Sequence, residues 1–143
     1  MLELQVIMRT LNRKKVRYLL AGGLAGVLHG VPRTTVDVDI MIYPGPENVS
    51  AAVKALESLG LVPDTDVVKD ILGKGGTTFT NDREVDIITS PALGSFDDLW
   101  KRRQTFSYKG VRIPVISLDD HRAILRKLRR KQDIDDLRFL GEG

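Results

Sequence analysis

"LLAGGLAGVLHGVPRTTVDVDIMI", residues 19–42, places two aspartates, Asp37 and Asp39, inside an apolar run with the composition of a β-strand. Carboxylates are depleted in strands, where Val, Ile and aromatic residues dominate. In a strand, side chains at i and i+2 point to one face. Asp37 and Asp39 are therefore expected on a shared face, with Val36, Val38, Ile40 and Ile42 directed into the core. A rise of ~3.3 Å per residue sets their Cβ atoms ~6.5–7 Å apart. That separation spans two divalent ions ~3.5–4 Å apart, the arrangement that drives in-line phosphoryl chemistry. Carboxylate oxygens are the ligands Mg²⁺ prefers, and Mg²⁺ keeps water and substrate phosphates in its remaining positions.

A third carboxylate fits the same chemistry. "REVDIITS", residues 83–90, holds Asp86 between Val85 and Ile87 on what reads as another strand. If the strands are neighbours, Asp86 completes a three-carboxylate cluster as a metal ligand or as the base for an attacking hydroxyl. Glu84 shares its strand face and is the fallback. The Gly22-Gly23 pair, between strand and helix, lets backbone N–H groups approach a ligand, and a following helix N-terminus favours phosphate. Tight turns need glycine anyway, so the pair gains its meaning from the Asp-x-Asp fourteen residues later. Three converging carboxylates without a purpose would be costly to bury, unless Arg33 or Arg83 neutralises them.

Strand, Gly-Gly, helix, His-Gly, Arg-x-Thr-x-Asp-x-Asp and a later lone aspartate resemble the nucleotidyltransferase superfamily that includes DNA polymerase β. The narrower resemblance is to its small bacterial and archaeal members related to abortive-infection toxins. The closing "KQDIDDL", residues 131–137, is similar to the Lys-Asp-x-x-Asp-Leu ending of those small proteins. The resemblance runs from about Tyr18 to Leu137. It implies Asp37, Asp39 and Asp86 as the catalytic and metal-binding triad, and Gly22 and Gly23 as the phosphate loop. It further implies Mg²⁺ or Mn²⁺, two ions, and an NTP substrate such as ATP. Gly23 stands where many relatives carry serine, so a hydroxyl contact to phosphate is missing. Arg33, just before the aspartates, suits a triphosphate; it equally suits a surface arginine offsetting the acidic cluster.

Outward from this centre, residues 2–14 read as an amphipathic helix with Leu2, Val6, Ile7, Thr10 and Leu11 on one side. "PENVSAAVKALESLG" reads as a helix with Pro46 near its start and Gly60 beyond its end. "ILGKGG", residues 71–76, reads as a loop. "TTFTND" and "REVDIITS" form two strands about an Asn81-Asp82 turn. "SFDDLWKRR" is a short helix, and "TFSYKGVRIPVIS" a hairpin with Lys109-Gly110 at its tip. Ser117 caps the next helix, with Asp120 at the capping-box position. The resulting class is α/β (α+β), a single mixed sheet flanked by helices. Residues 1–143 are expected to form one nucleotidyltransferase-like domain, with 117–143 as a C-terminal helical extension.

Other residues carry blander readings. His29 ends a helix and caps it, and His121 reads as a surface residue of the basic helix. Trp100 is a core side chain rather than a stacking platform. "LGKGGTT" fails the P-loop pattern, because Val68 and Gly75 stand where Gly and Ser/Thr are required. Lys127, Arg130 and Lys131 could hold phosphates, but a solvated helix face is the default.

The chain has 143 residues, 42% hydrophobic and 29% charged, and no cysteine, which excludes disulfides, thiolate zinc sites and a cysteine nucleophile. No apolar run approaches the ~20 residues of a membrane span, and the N-terminal stretch lacks signal-peptide features; a cytoplasmic protein is expected. The net charge of +3 conceals an asymmetry: residues 101–131 hold eleven Lys/Arg against two Asp/Glu. Such a segment suits a polyanion, making tRNA or another nucleic acid a candidate acceptor beside a protein hydroxyl or a small molecule such as an antibiotic. Two further readings stand beside the enzyme: an inactive relative acting as a toxin–antitoxin partner, and a plain nucleic-acid binder whose binding would be steeply salt-dependent without metal.

Overall fold

The computed structural model describes residues 1–63, 76–89 and 94–141. Its frame is a mixed sheet in the order β3-β4-β5-β2-β1-β7-β6. The centre is the pair read first from the sequence: β1 (Tyr18–Ala21) and β2 (Val38–Ile42), joined by helix α2 (Gly22–Leu28). All four residues of β1 are buried, as expected for a strand covered on both faces. β2 runs antiparallel to β1 and parallel to β5 (Glu84–Ile88), so the two aspartate-bearing strands are neighbours.

β2 is shorter than the sequence suggests. The ladder begins at Val38, paired with Val85, and residues 33–37 lie outside it. β1 has by then ended at Ala21, opposite Asp39, and turned into α2. β5 starts only at Glu84. With β1 ended and β5 reaching only one residue further back, the chain ahead of Val38 leaves the sheet, and Val36, expected in the core, is 48% exposed.

On the far side of β5 lie β4 (Gly76–Thr80) and the two-residue β3 (Val62–Pro63), both antiparallel additions. On the other edge, β7 (Val111–Val115) runs parallel to β1, and β6 (Gln104–Tyr108) returns antiparallel along it. The β6–β7 tip is the expected Lys109-Gly110 pair, both at positive φ (47° and 80°), as a type I′ turn demands. Of the expected loop at residues 71–76 only Gly76 is described, and it begins β4; of the rejected P-loop motif only Gly76, Thr77 and Thr78 are described, all in β4.

Helix α1 (Leu4–Arg13) buries Leu4, Ile7, Met8 and Leu11, an i, i+3, i+4, i+7 stripe shifted from the one expected, and packs on β7 and α3 (Pro46–Ser58). α3 begins at Pro46 and buries Val49, Ala52, Val53, Ala55 and Leu56. Ser95 caps α4 (Phe96–Lys101) through a reciprocal box with Asp98. Ser117 caps α5 (Leu118–Leu128), its hydroxyl accepting from the Asp120 N–H at 3.0 Å. The last helix, α6 (Lys131–Phe139), packs on α5, which also touches α2.

Candidate active site

Three adjacent strands align Ala21, Asp39 and Asp86 in one row across the sheet. Ala21 is the last residue of β1, so α2 starts beside the Asp39 carboxylate. Gly22 sits at φ +64°, and a Cβ there would lie 2.0 Å from Asp39 Oδ2. The carboxylate therefore rests directly on the Gly22 backbone, which only glycine permits. A Cβ on Gly23 would meet the Thr35 methyl at 3.2 Å, so the segment leading to the aspartates packs against the second glycine. The glycine pair forms the first turn of α2 rather than a separate loop before it.

Asp39 is half-buried and faces Asp86 across the β2–β5 pair. Burial pushes its pKa up to about 6; the charge of Asp86, a shared hydrogen bond with Asp86 and the charge of Asp37 push the same way, while Arg130 opposes them. Asp86 accepts a hydrogen bond from the Thr78 hydroxyl at 2.5 Å, delivered from β4. The sequence gives no advance notice of Thr78, because its role depends on the register that sets it opposite Asp86. Asp37 is exposed and lies just ahead of β2. Glu84 is exposed at the start of β5, two residues nearer the turn than Asp86.

Among the described residues no three His, Cys, Asp or Glu side chains converge tightly enough to enclose a metal ion. The donor set nonetheless suits a divalent cation. Burial and the charge of Asp86 raise the Asp39 pKa, and the charge of Asp37 adds to the repulsion. Mg²⁺ is commonly held by one or two carboxylates with substrate phosphates completing its shell.

The C-terminal helices close over the glycine turn. A cavity of about 50 Å³ lies among Gly22, Gly23, His121, Arg130, Asp133 and Asp136, with Ile124 and Leu125 also in its wall. Asp133 is buried; burial alone would raise its pKa, but hydrogen bonds from the Arg130 guanidinium and backbone N–H outweigh this and hold it low. Arg130 reaches it through Nε at 2.8 Å and a second nitrogen at 3.2 Å. Asp136, equally buried, pairs with Arg33. Arg33 is thus tied to α6. The "KQDIDDL" ending places two aspartates inward, each on an arginine, while Asp135 faces solvent.

His121 is not on the surface: it is 3% exposed, and burial beside His29 lowers its pKa to about 4. Its ring fills a notch left by Gly26, where a Cβ would sit 3.0 Å from Nε2. The turn position chosen by the Ser117 cap, rather than the polar flanks, decides which way His121 faces. His29 is the C-cap residue of α2, and its Nε2 is 2.8 Å from the Ile116 carbonyl. Trp100 is half-buried, stacked on Phe96, with the Arg103 guanidinium 3.8 Å from its ring centroid. Within the basic 101–131 segment, Arg102 binds Asp120 at 2.8 Å, Arg122 binds Asp119, and Arg130 binds Asp133.

Neither a protein-family model nor a curated protein sequence matches the chain. Solved structures do match it. The lincosamide antibiotic adenylyltransferase LnuA, bound to lincomycin, is 20% identical with a TM-score of 0.67, over 92% of this chain and 90% of LnuA. ANT(2″)-Ia in complex with adenylyl-2″-tobramycin is 14% identical with a TM-score of 0.63, over 92% and 82%. An antigenic nucleotidyltransferase-like protein from Paracoccidioides brasiliensis is 19% identical with a TM-score of 0.59, over 93% and 71%. The chain has the nucleotidyltransferase fold. No helix among the described residues is long and apolar enough to cross a membrane.

Proposed function

We propose that the protein transfers a nucleoside monophosphate from an NTP to a hydroxyl acceptor, releasing pyrophosphate, with divalent metal at Asp37, Asp39 and Asp86. The observation that carries this is the Asp39–Asp86 pair: two carboxylates opposed on neighbouring strands, one with its pKa raised to about 6, against a glycine turn. A bound divalent cation would supply charge neutralisation for the triphosphate and the carboxylates together.

The chain's own residues divide the remaining work. Gly22 and Gly23 offer backbone N–H groups to the phosphates, on a turn whose missing side chains make room for Asp39 and Thr35. Asp86, oriented by Thr78, takes the proton of the acceptor hydroxyl as its oxygen bonds to the α-phosphorus. The bond from that phosphorus to the α,β-bridging oxygen breaks, and pyrophosphate leaves. Arg130 sits within the electrostatic reach of Asp39, its guanidinium held at two nitrogens by Asp133, and is the phosphate-facing cation of this reading. Arg33, held by Asp136, anchors α6 and reaches phosphate only if that pair opens. LnuA and ANT(2″)-Ia, by their names and bound molecules, modify small antibiotics, which supports a small-molecule acceptor over tRNA or a protein.

Calorimetric titration with Mg²⁺ or Mn²⁺ and each NTP tests this on the wild type and on Asp37→Ala/Asp39→Ala. Metal-dependent NTP binding that disappears in the double variant is expected. Equal binding by the two proteins, or none by a folded wild type, would transfer the weight to an inactive, partner-binding relative.

A further inference from the structure

The helix that closes the site is held differently from the rest of the fold. α6 buries Asp133, Asp136 and Leu137, one apolar side chain where α1 buries four and α3 five. Such an inward face is docked by charge more than by apolar area. Asp133 meets Arg130 at the start of α6 itself. Among the described residues, Arg33–Asp136 is the ion pair that ties α6 to the chain leading into β2. A further bond, from the Arg122 guanidinium to the Leu140 carbonyl at 2.8 Å, goes to α5. α6 can therefore leave the glycine turn without leaving α5.

Docked in this way, α6 keeps phosphate out. The cavity it closes, about 50 Å³, has the volume of one or two water molecules, and a triphosphate is several times larger. The charged side chains lining it are one arginine, Arg130, and two carboxylates, Asp133 and Asp136; Arg129 and Lys131 lie outside its wall. Arg33 balances Asp136, and the Asp39 carboxylate rests against Gly22, so the closed cavity offers a polyanion no net positive charge. The Arg33 guanidinium donates to Asp136 from one terminal nitrogen, while its Nε is buried without a partner. Asp136 thus leaves unused part of a fork that a phosphate engages at two nitrogens. At the joint between the helices, Arg129 adopts φ 49° and ψ 34°, a left-handed conformation unfavourable for a residue with a Cβ. The surrounding structure holds a joint of this kind in place, and element-terminal residues absorb the rotation when it lets go.

We propose that α6 is an autoinhibitory strap: in the free protein Asp136 occupies Arg33, and the triphosphate of an incoming nucleotide takes Arg33 from it as α6 moves off the glycine turn. This rests on the nucleotidyl-transfer reading. Arg33 then joins Arg130 as a phosphate-binding residue, and the released Asp136 is hydrated. Arg130 lies at the joint, beside Arg129, so it moves least and keeps Asp133. The free protein's affinity for nucleotide is reduced by the fraction of molecules in which the strap is open.

Hydrogen–deuterium exchange of the wild type, alone and with saturating MgATP or metal-free tripolyphosphate, reads the position of α6. Calorimetry measures binding of both probes by the wild type, Asp136→Asn and Arg33→Gln. Faster exchange over residues 131–139 with either probe is expected. Asp136→Asn should bind about threefold to tenfold more tightly, because more of it is open beforehand, and Arg33→Gln about tenfold more weakly. The opposite signs separate a strap from a merely structural pair, which both variants would impair alike. Should Asp136→Asn fail to fold, the wild-type exchange decides alone. Bound probe with unchanged or slower exchange in α6, or weaker binding by a folded Asp136→Asn, overturns the strap and leaves the transfer reading in place. Binding by Asp136→Asn where the wild type binds neither probe supports the strap. Binding of neither probe by either protein overturns both readings.

Discussion

Four inward-facing aspartates of this protein occupy two contrasting settings. Asp39 and Asp86 face each other between β2 and β5, and burial together with the charge of Asp86 raises the Asp39 pKa to about 6. Asp133 and Asp136, on α6, each have an arginine. The α6 pair is electrostatically complete and closes the structure over the glycine turn. The strand pair is incomplete, and the fold maintains it against its own repulsion. Breaking a satisfied pair should damage folding, and removing an unsatisfied one should damage only binding.

The largest expected effect follows from the strand pair. Asp39→Asn should reduce metal-dependent nucleotide transfer by about 10²–10³ or more, with melting temperature unchanged or higher. A variant that unfolds instead would make Asp39 a structural residue. The α6 pair should behave in the opposite way. Asp136→Ala leaves Arg33 unpaired with its Nε already buried and without a partner, and a destabilisation of about 3 kcal/mol is expected in urea unfolding. An effect below about 1 kcal/mol would mean that α6 is not anchored through Arg33.

The pH dependence sharpens the contrast, because two groups oppose each other in the metal-free protein. His121, lowered to about 4 in the fold, binds its proton more readily when unfolded, so its contribution makes stability rise with pH between about 4 and 6.5. Asp39, raised to about 6, binds its proton more readily when folded, so its contribution makes stability fall with pH between about 4 and 6. Each amounts to roughly 3 kcal/mol, and in the wild type they offset. Asp39→Asn should therefore gain stability relative to wild type as pH rises from 4 to 6, by roughly 2 kcal/mol in urea melts. Parallel pH profiles for the two proteins would refute the opposed pair.

The smallest effects are expected at the glycines. Gly22→Ala forces a Cβ against Asp39 at an unfavourable φ, and should cost about 1–2 kcal/mol together with NTP binding. Gly26→Ala only presses on the His121 ring at 3.0 Å. It should change stability by less than about 1 kcal/mol and leave NTP binding intact. If Gly26→Ala were as harmful to binding as Gly22→Ala, the helix rather than the turn would be the sensitive element.

Residues 19–42 by themselves determined most of the centre. The strand–Gly-Gly–helix–strand order, the mixed sheet, the β6–β7 tip and the Ser117 cap were all legible, because each follows from local rules of alternation, turn chemistry and capping. Only the tertiary structure decided what lies across strand and helix boundaries. Where β2 begins depends on where β1 and β5 offer partners, so Val36 lies outside the core despite its place in an alternating run. Thr78 reaches Asp86 only through the β4–β5 register. His121 and the two α6 aspartates are buried because α5 and α6 fold back over the glycine turn, bringing Arg33 to Asp136 across more than a hundred residues. Local pattern reports which face a side chain prefers; the partner it meets there is set by contacts distant in sequence.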